Sequence, residues 1–226
     1  MYARANTPLP IMPDWSYWTI AETMSPAQAY DGLGLAVLRD EFPAVAYYND
    51  TAQHMFYWTS DAALPAGPAD VVTAMVDDPS LGGATWPRVV EYHGDPAIIY
   101  DAFNSVIPRY IQPASPRPEH PGEFEQRHQI SHMSADMPAV AARQTEIGVA
   151  FRDYRDGSIK YAWFDTDDPL GDGVLDSGAD WRIVTVDERQ TEGAIGLVFQ
   201  AWGVPEVSYT VCADGLLYLA HMVPTS

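Results

Sequence analysis

The sequence predicts an all-β chain folded as a four-bladed β-propeller, with four strands per blade and an N-terminal strand closing the C-terminal blade. Three observations point there: an alternating apolar strand ending at an aromatic residue, a second alternating run after each copy of it, and a period of roughly 50–57 residues. The recurring strand reads Pro43-Ala-Val-Ala-Tyr-Tyr-Asn-Asp50, Pro96-Ala-Ile-Ile-Tyr-Asp-Ala-Phe103, Glu146-Ile-Gly-Val-Ala-Phe-Arg-Asp153 and Pro205-Glu-Val-Ser-Tyr-Thr-Val-Cys212. Period-2 alternation places one set of side chains on each face of a sheet.

After a polar turn each copy is followed by a second run, at 54–60, 106–112, 158–164 and 216–222, so each pair reads as a hairpin. The aromatic anchors keep register: Tyr47 to Tyr57, Tyr100 to Tyr110 and Phe151 to Tyr161 are ten apart, and Tyr209 to Tyr218 is nine. A further apolar run precedes each hairpin, at 32–38, 86–92, 139–142 and 194–199. A fourth strand follows at 71–76, 124–130 and 181–186, and the last unit has none. The missing strand is expected at the other end of the chain, where Trp15-Ser-Tyr-Trp-Thr-Ile20 spaces its Trp and Ile as Trp181 and Val186 are spaced. Docked there, it would remove the unpaired edge that an open repeat array exposes. The expected organisation is an arm at 1–14 and one domain at 15–226, with units at about 32–78, 84–133, 139–189 and 193–223 and a latch strand at 15–24. An irregular β-sandwich with accidentally similar hairpins is the competing architecture.

The unit resembles a bacterial and phage-type β-propeller repeat family with the pattern W-x4-V-D, then G-x-P-x-I-A-Y-Y-D, then G-x-L-K-Y-A. Gly157-Ser-Ile-Lys-Tyr-Ala162 and Trp181-Arg-Ile-Val-Thr-Val-Asp187 match it best, and Pro43 to Asn49 and Gly94 to Tyr100 match its middle. The resemblance covers about residues 15–223 and implies fold alone, since its tyrosines pack between blades and its Gly, Asp and Asn form turns. The departures are insertions at 113–123 and 166–179, and Pro108 inside a strand, where a bulge or frayed edge is expected.

Composition narrows the function classes. A formal charge of −19, with Lys160 the only lysine, repels a phosphate backbone, so no nucleic-acid partner is expected. No stretch approaches about eighteen consecutive apolar residues and the N-terminus lacks a basic, apolar leader, so neither a membrane span nor a signal peptide is expected. The location is left as the cytoplasm or part of a particle. Cys212 is the only cysteine, which rules out an intrachain disulfide and a thiolate zinc cluster.

Candidate chemistry is sparse. Asp165, Asp167, Asp168, Asp172 and Asp176 crowd one loop, where carboxylates can hold Ca2+, although Pro169 and Leu170 break the EF-hand pattern and a solvated acidic loop is the plainer reading. His128 and His132 share a strand face without a helical zinc motif. Ser177-Gly-Ala-Asp-Trp181 does not fit an Asp-box turn, and no Gly-rich phosphate loop is present. Trp58 is expected opposite Tyr57, Trp163 on the face of Tyr161, and Trp202, in a turn before Pro205, is the candidate ligand contact.

These readings point to a non-enzymatic interaction module that binds a glycan or a protein through loops on a rigid scaffold. One alternative is a structural subunit of a virion or cell-surface particle, docking through the Pro-rich arm at 1–13; the other is a hydrolase acting on a polysaccharide with carboxylates at a channel mouth.

Overall fold

Period-2 alternation, Gly-containing turns and aromatic anchors build the same antiparallel sheet repeatedly along the chain. The structure is a computed structural model and describes residues 2–5, 15–18, 32–39, 41–49, 52, 54–60, 65, 70–76, 84–102, 107–113, 115, 117–119, 123–124, 126–131, 135–143, 146–164 and 181–222. The first sheet holds β3 (Leu33–Val37), β4 (Pro43–Asn49), β5 (His54–Ser60) and β6 (Val71–Met75) in chain order. The second holds β7 (Ala84–Tyr92), β8 (Asp95–Ala102), β9 (Ile107–Gln112) and β10 (Gln126–Gln129). The third holds β11 (Ala135–Arg143), β12 (Glu146–Asp153), β13 (Ile159–Phe164) and β14 (Trp181–Asp187). The fourth holds β15 (Thr191–Phe199), β16 (Pro205–Val211) and β17 (Leu217–His221). Three of these antiparallel sheets have four strands and one has three.

The sheets stack face to face in chain order, with β3 beside β7, β7 beside β11 and β11 beside β15, a propeller-like all-β arrangement. Apolar side chains on facing sheets supply the core. Tyr57 and Met55 meet Ile98, Tyr100 and Phe124 between the first two sheets; Ile99 and Tyr110 meet Ile147, Phe151 and Trp181 between the next two. Ala150, Ile159 and Tyr161 meet Val207, Tyr209 and Val211 at the last junction. The anchors Tyr47, Tyr100, Phe151 and Tyr209 are buried, as are Tyr57, Tyr110 and Tyr161. Trp58 is buried in a separate cluster on the face opposite Tyr57, and Trp163 stacks on Tyr161, 5.7 Å between ring centroids, on the face that the alternation predicts.

Two glycines allow close approach. A Cβ on Gly34 would stand 2.6 Å from the backbone nitrogen of Val89, so the absence of a side chain lets β3 lie against β7. A Cβ on Gly148 would stand 2.6 Å from the Tyr161 hydroxyl, which occupies that space instead.

Several expectations need correction. The first strands of the second and third sheets begin earlier than expected, because the ladder passes their prolines by a bulge, between Thr85 and Arg88 around Pro87 and between Asp136 and Ala139 around Pro138. Trp86, at φ 54, carries the first of these irregularities. Pro108 creates no bulge against β8: the register runs unbroken from Ile98↔Ile111 to Ala102↔Ile107. Its carbonyl accepts from Ile130 N–H at 2.9 Å, so its missing donor faces the end of β10, where a ladder bond is not needed. The N-terminal segment also differs. β1 (Tyr2–Ala5), inside the expected arm, pairs antiparallel with β2 (Trp15–Trp18), and among the described residues β17 is the outermost strand of a three-stranded sheet.

Candidate active site

The first two strands of the first, second and fourth sheets are joined by short turns, and in the third Arg143 and Glu146 pair across the strand ends; these ends gather at one side of the array. Gly32, before β3, lies beside Trp86 in β7, and Arg143, at the end of β11, lies against Gly203 in the turn after β15, so neighbouring first strands run in the same direction. The β7–β8 turn is His93-Gly94, both at positive φ (56° and 91°), as a two-residue hairpin of the primed type requires. The β15–β16 turn is closed by Gln200 N–H to the Val204 carbonyl at 2.9 Å, with Gly203 at φ 90.

Two carboxylates start the strands after these turns, Asp95 on β8 and Glu146 on β12. They hold the same repeat position, each five residues before its aromatic anchor, Tyr100 and Phe151. Burial pushes both above the ordinary carboxylate range; His93 opposes the shift at Asp95, and Arg143, the cross-strand partner of Glu146, opposes it there. Between them lies a phenol network. Tyr110 donates to Gln112 Oε1 at 2.6 Å, and Gln112 Nε2 donates to the Tyr92 carbonyl at 3.2 Å. Burial, then the charge of Glu146, pushes the Tyr92 hydroxyl up to about 12; burial, then Tyr92 and Asp95, also raises Tyr110. The Tyr92 ring meets the His93 ring edge-on at 4.3 Å.

Two arginines stand at these turns. Arg117, from the insertion after β9, stacks its guanidinium over Phe42 in the β3–β4 turn at 4.0 Å. His93 acts on Asp95 and Arg143 on Glu146, each from the turn before the carboxylate's strand. The Arg143 guanidinium is seated so closely on Gly203 that a Cβ there would collide with it, which places Trp202, 73% exposed, next to the Arg143–Glu146 pair. The end of the array therefore offers two carboxylates whose pKa burial raises, phenol and guanidinium donors, and an exposed indole.

Of the residues singled out in the sequence, Trp202 is the one the structure brings to this end. Asp165, Asp167, Asp168, Asp172 and Asp176 lie outside the described residues, as does His132, and among the described residues no cluster of metal-ligating side chains occurs. His128 is placed on β10. Among the described residues no helix is long and apolar enough to cross a membrane. Sequence reasoning missed Asp95, Glu146 and Arg143; aligning the four repeats on their aromatic anchors is the signal that finds the two acids, since the equivalent positions are Phe42 and Val204 in the other units.

No family model and no curated protein matches the chain. Among solved structures it is similar to a GH43 glycoside hydrolase engineered to display both endo-xylanase and exo-arabinofuranosidase activity (TM-score 0.49, 12% identity, 85% of this chain and 37% of that one). It is similar also to a bifunctional GH43–CE protein of Bacteroides eggerthii (TM-score 0.49, 10% identity, 86% of this chain and 24% of that one). The chain thus spans well under half the length of either. The expectation of a non-enzymatic interaction module is corrected by this finding, because the structural neighbours are hydrolases. At such identities and scores their activities are not carried over, and the chemistry is argued from the residues above.

Proposed function

We propose that the chain is a carbohydrate-acting hydrolase, with Asp95 and Glu146 as its acid and base pair and Trp202 as a platform for a sugar ring. The observation that carries this reading is the placement of two burial-raised carboxylates at equivalent positions of adjacent repeats, at the end of the array where Trp202 stands. Glycoside hydrolysis needs one carboxyl protonated at working pH to deliver a proton to the leaving oxygen, and a second, ionised, to activate water or attack the anomeric carbon. Desolvation is the ordinary way of keeping the first protonated. Arg143 and Arg117 supply donors for sugar hydroxyls, and an exposed indole stacks on the apolar face of a pyranose or furanose. The four sheets are, on the same reading, the blades of one propeller related to the repeat family that their motifs resemble.

The test is release of reducing ends from a panel of polysaccharides, xylan included, and of aryl glycosides, aryl arabinofuranosides included. Glu146→Gln and Asp95→Asn are each expected to lower the rate about 10²–10⁴-fold without shifting the melting temperature. Azide should rescue the variant that has lost the base or nucleophile, and an activated aryl leaving group the one that has lost the acid, which assigns the two roles. Trp202→Ala should raise KM with a smaller effect on kcat. Absence of turnover across the panel, or full activity in both carboxylate variants, would overturn the proposal.

A further inference from the structure

Two residues along β12 from Glu146, on the same face, lies a buried phenol with nothing to bond. Tyr161 on β13 is 2% exposed, and its hydroxyl has no hydrogen-bond partner among the described residues. The hydroxyl sits over Gly148, 2.6 Å from where a Cβ would stand, with the Phe199 ring of the fourth sheet 3.1 Å from the same point. Residues two apart on a strand share a face, so Glu146 points to the same junction between the third and fourth sheets as Gly148 and the buried Ala150. Two residues of strand span about 7 Å, and a Glu side chain laid along the strand covers most of that distance. Among the described residues no hydrogen bond acts on the Glu146 carboxyl either: burial raises it, and the charge of Arg143 opposes. A buried donor without an acceptor is costly and rare in folded proteins, and here the nearest free acceptor is one side-chain rotation away.

We propose that the Tyr161 hydroxyl is the donor that Glu146 takes up on ionising, so that Tyr161 is a positioning residue and Glu146 the ionised member of the acid and base pair. The catalytic role rests on the hydrolase reading above; the hydrogen bond does not. Burial, then the charge of Glu146, raises the Tyr161 hydroxyl, so the phenol keeps its proton and donates it to a carboxylate rather than competing with it. The charged and titratable groups acting around Glu146 are Arg143 from β11, Tyr161 from β13 and Tyr92 from β7, while the fourth sheet brings the apolar Phe199 to the hydroxyl. The phenols that feel the charge of Asp95 are engaged elsewhere: Tyr110 donates to Gln112 at 2.6 Å, and Tyr57 is hydrogen-bonded to the Thr59 side chain. Two carboxyls whose surroundings push their proton affinities apart take the two opposite roles. Glu146, with a phenol in reach, is the base or nucleophile, and Asp95, with His93 alone opposing its burial, is the acid.

Tyr161→Phe tests this in the full chain, since it removes the hydroxyl and keeps the ring that stacks on Trp163. In a carboxyl-carbon NMR titration, with the Glu146 resonance identified by its loss in Glu146→Gln, Glu146 should titrate about one unit higher in Tyr161→Phe, with Asp95 unmoved. The sign follows from the donor, which favours the ionised form, so that its removal lets the proton stay to higher pH. On any glycoside the chain turns over, the acid limb of kcat/KM should move up by the same amount, and azide should rescue Glu146→Gln rather than Asp95→Asn. A chain that turns over no glycoside loses the hydrolase reading, while the titration still decides the hydrogen bond. Identical titration of Glu146 in both proteins, with a higher melting temperature in Tyr161→Phe, would overturn the proposal, because the hydroxyl would then be only an unpaired donor buried in the junction. Movement at Asp95 instead, or azide rescue of Asp95→Asn, would overturn the assignment of roles.

Discussion

At the scale of single residues, Asp187 shows how an acidic chain holds its carboxylates. Arg189 binds it through Nε and through NH2, the latter at 2.6 Å, and the Tyr209 hydroxyl donates to its Oδ2 at 2.7 Å. The Arg189 guanidinium lies over the Tyr218 ring at 4.1 Å, so one acid ties the end of β14 to both β16 and β17. These donors, the Arg189 side chain foremost, hold Asp187 well below its ordinary value of 3.8. A depressed folded-state value contributes stability that is present above the unfolded value and is lost as pH falls through the folded one. Asp187→Asn should therefore lower the melting temperature at pH 6 and flatten its dependence on pH below about 4. A melting curve that keeps the same acid slope in the variant would show that other carboxylates govern it. Gly203 gives a second expectation. Its φ of 90 is costly for a residue with a Cβ, and the Arg143 guanidinium fills the space where one would go. Gly203→Ala should cost about 1–2 kcal/mol in urea unfolding, and by displacing Arg143 should alter the pH profile of any activity that depends on Glu146.

At the scale of elements, the close approach of β3 to β7 is the feature most sensitive to substitution. Gly34 has backbone as its nearest neighbours, the nitrogen of Val89 at 2.6 Å and Cα of Arg88 at 2.8 Å from a built Cβ, and backbone within a packed sheet cannot step aside as a side-chain tip can. Gly34→Ala is expected to destabilise by about 1–3 kcal/mol, read as a lower urea midpoint at unchanged slope; an unaltered midpoint would mean that the two sheets slide apart freely. The same elements show what was legible in the sequence. The hairpins were, because alternation and aromatic spacing are local properties that survive in each repeat, from Tyr47 and Tyr57 to Tyr209 and Tyr218. The early parts of β7 and β11 were not, because the apolar runs begin only at 86 and 139, and tertiary pairing alone reveals the bulges that carry the ladders past Pro87 and Pro138 to Ala84 and Ala135. β1 was hidden in a Pro-rich arm, since four residues carry too little pattern to announce a strand. The candidate site was legible only in part: Trp202 stood out as an indole in a turn, whereas Asp95 and Glu146 look like ordinary turn acids until the stacking of the sheets places them at one end.

At the scale of the whole molecule, charge opposes the packing. A net −19 spread over 226 residues repels itself, and the apolar junctions between sheets hold against that repulsion. Only 12 basic residues stand against 31 acidic ones, so most of the acids have no cation of their own. Screening shortens the reach of charge from about 30 Å at 0.01 M salt to about 8 Å at 0.15 M, which weakens long-range repulsion far more than a 2.6 Å contact such as Arg189 to Asp187. The melting temperature should therefore rise between these two salt concentrations at pH 7. It should become nearly insensitive to salt as the pH approaches the sequence pI of about 4.3, where the net charge vanishes. Thermal scans at both concentrations and both pH values read the effect directly. A melting temperature that instead falls with salt at pH 7 would mean that close ion pairs outweigh the global repulsion, and that the acidic surface is arranged in networks with its few cations.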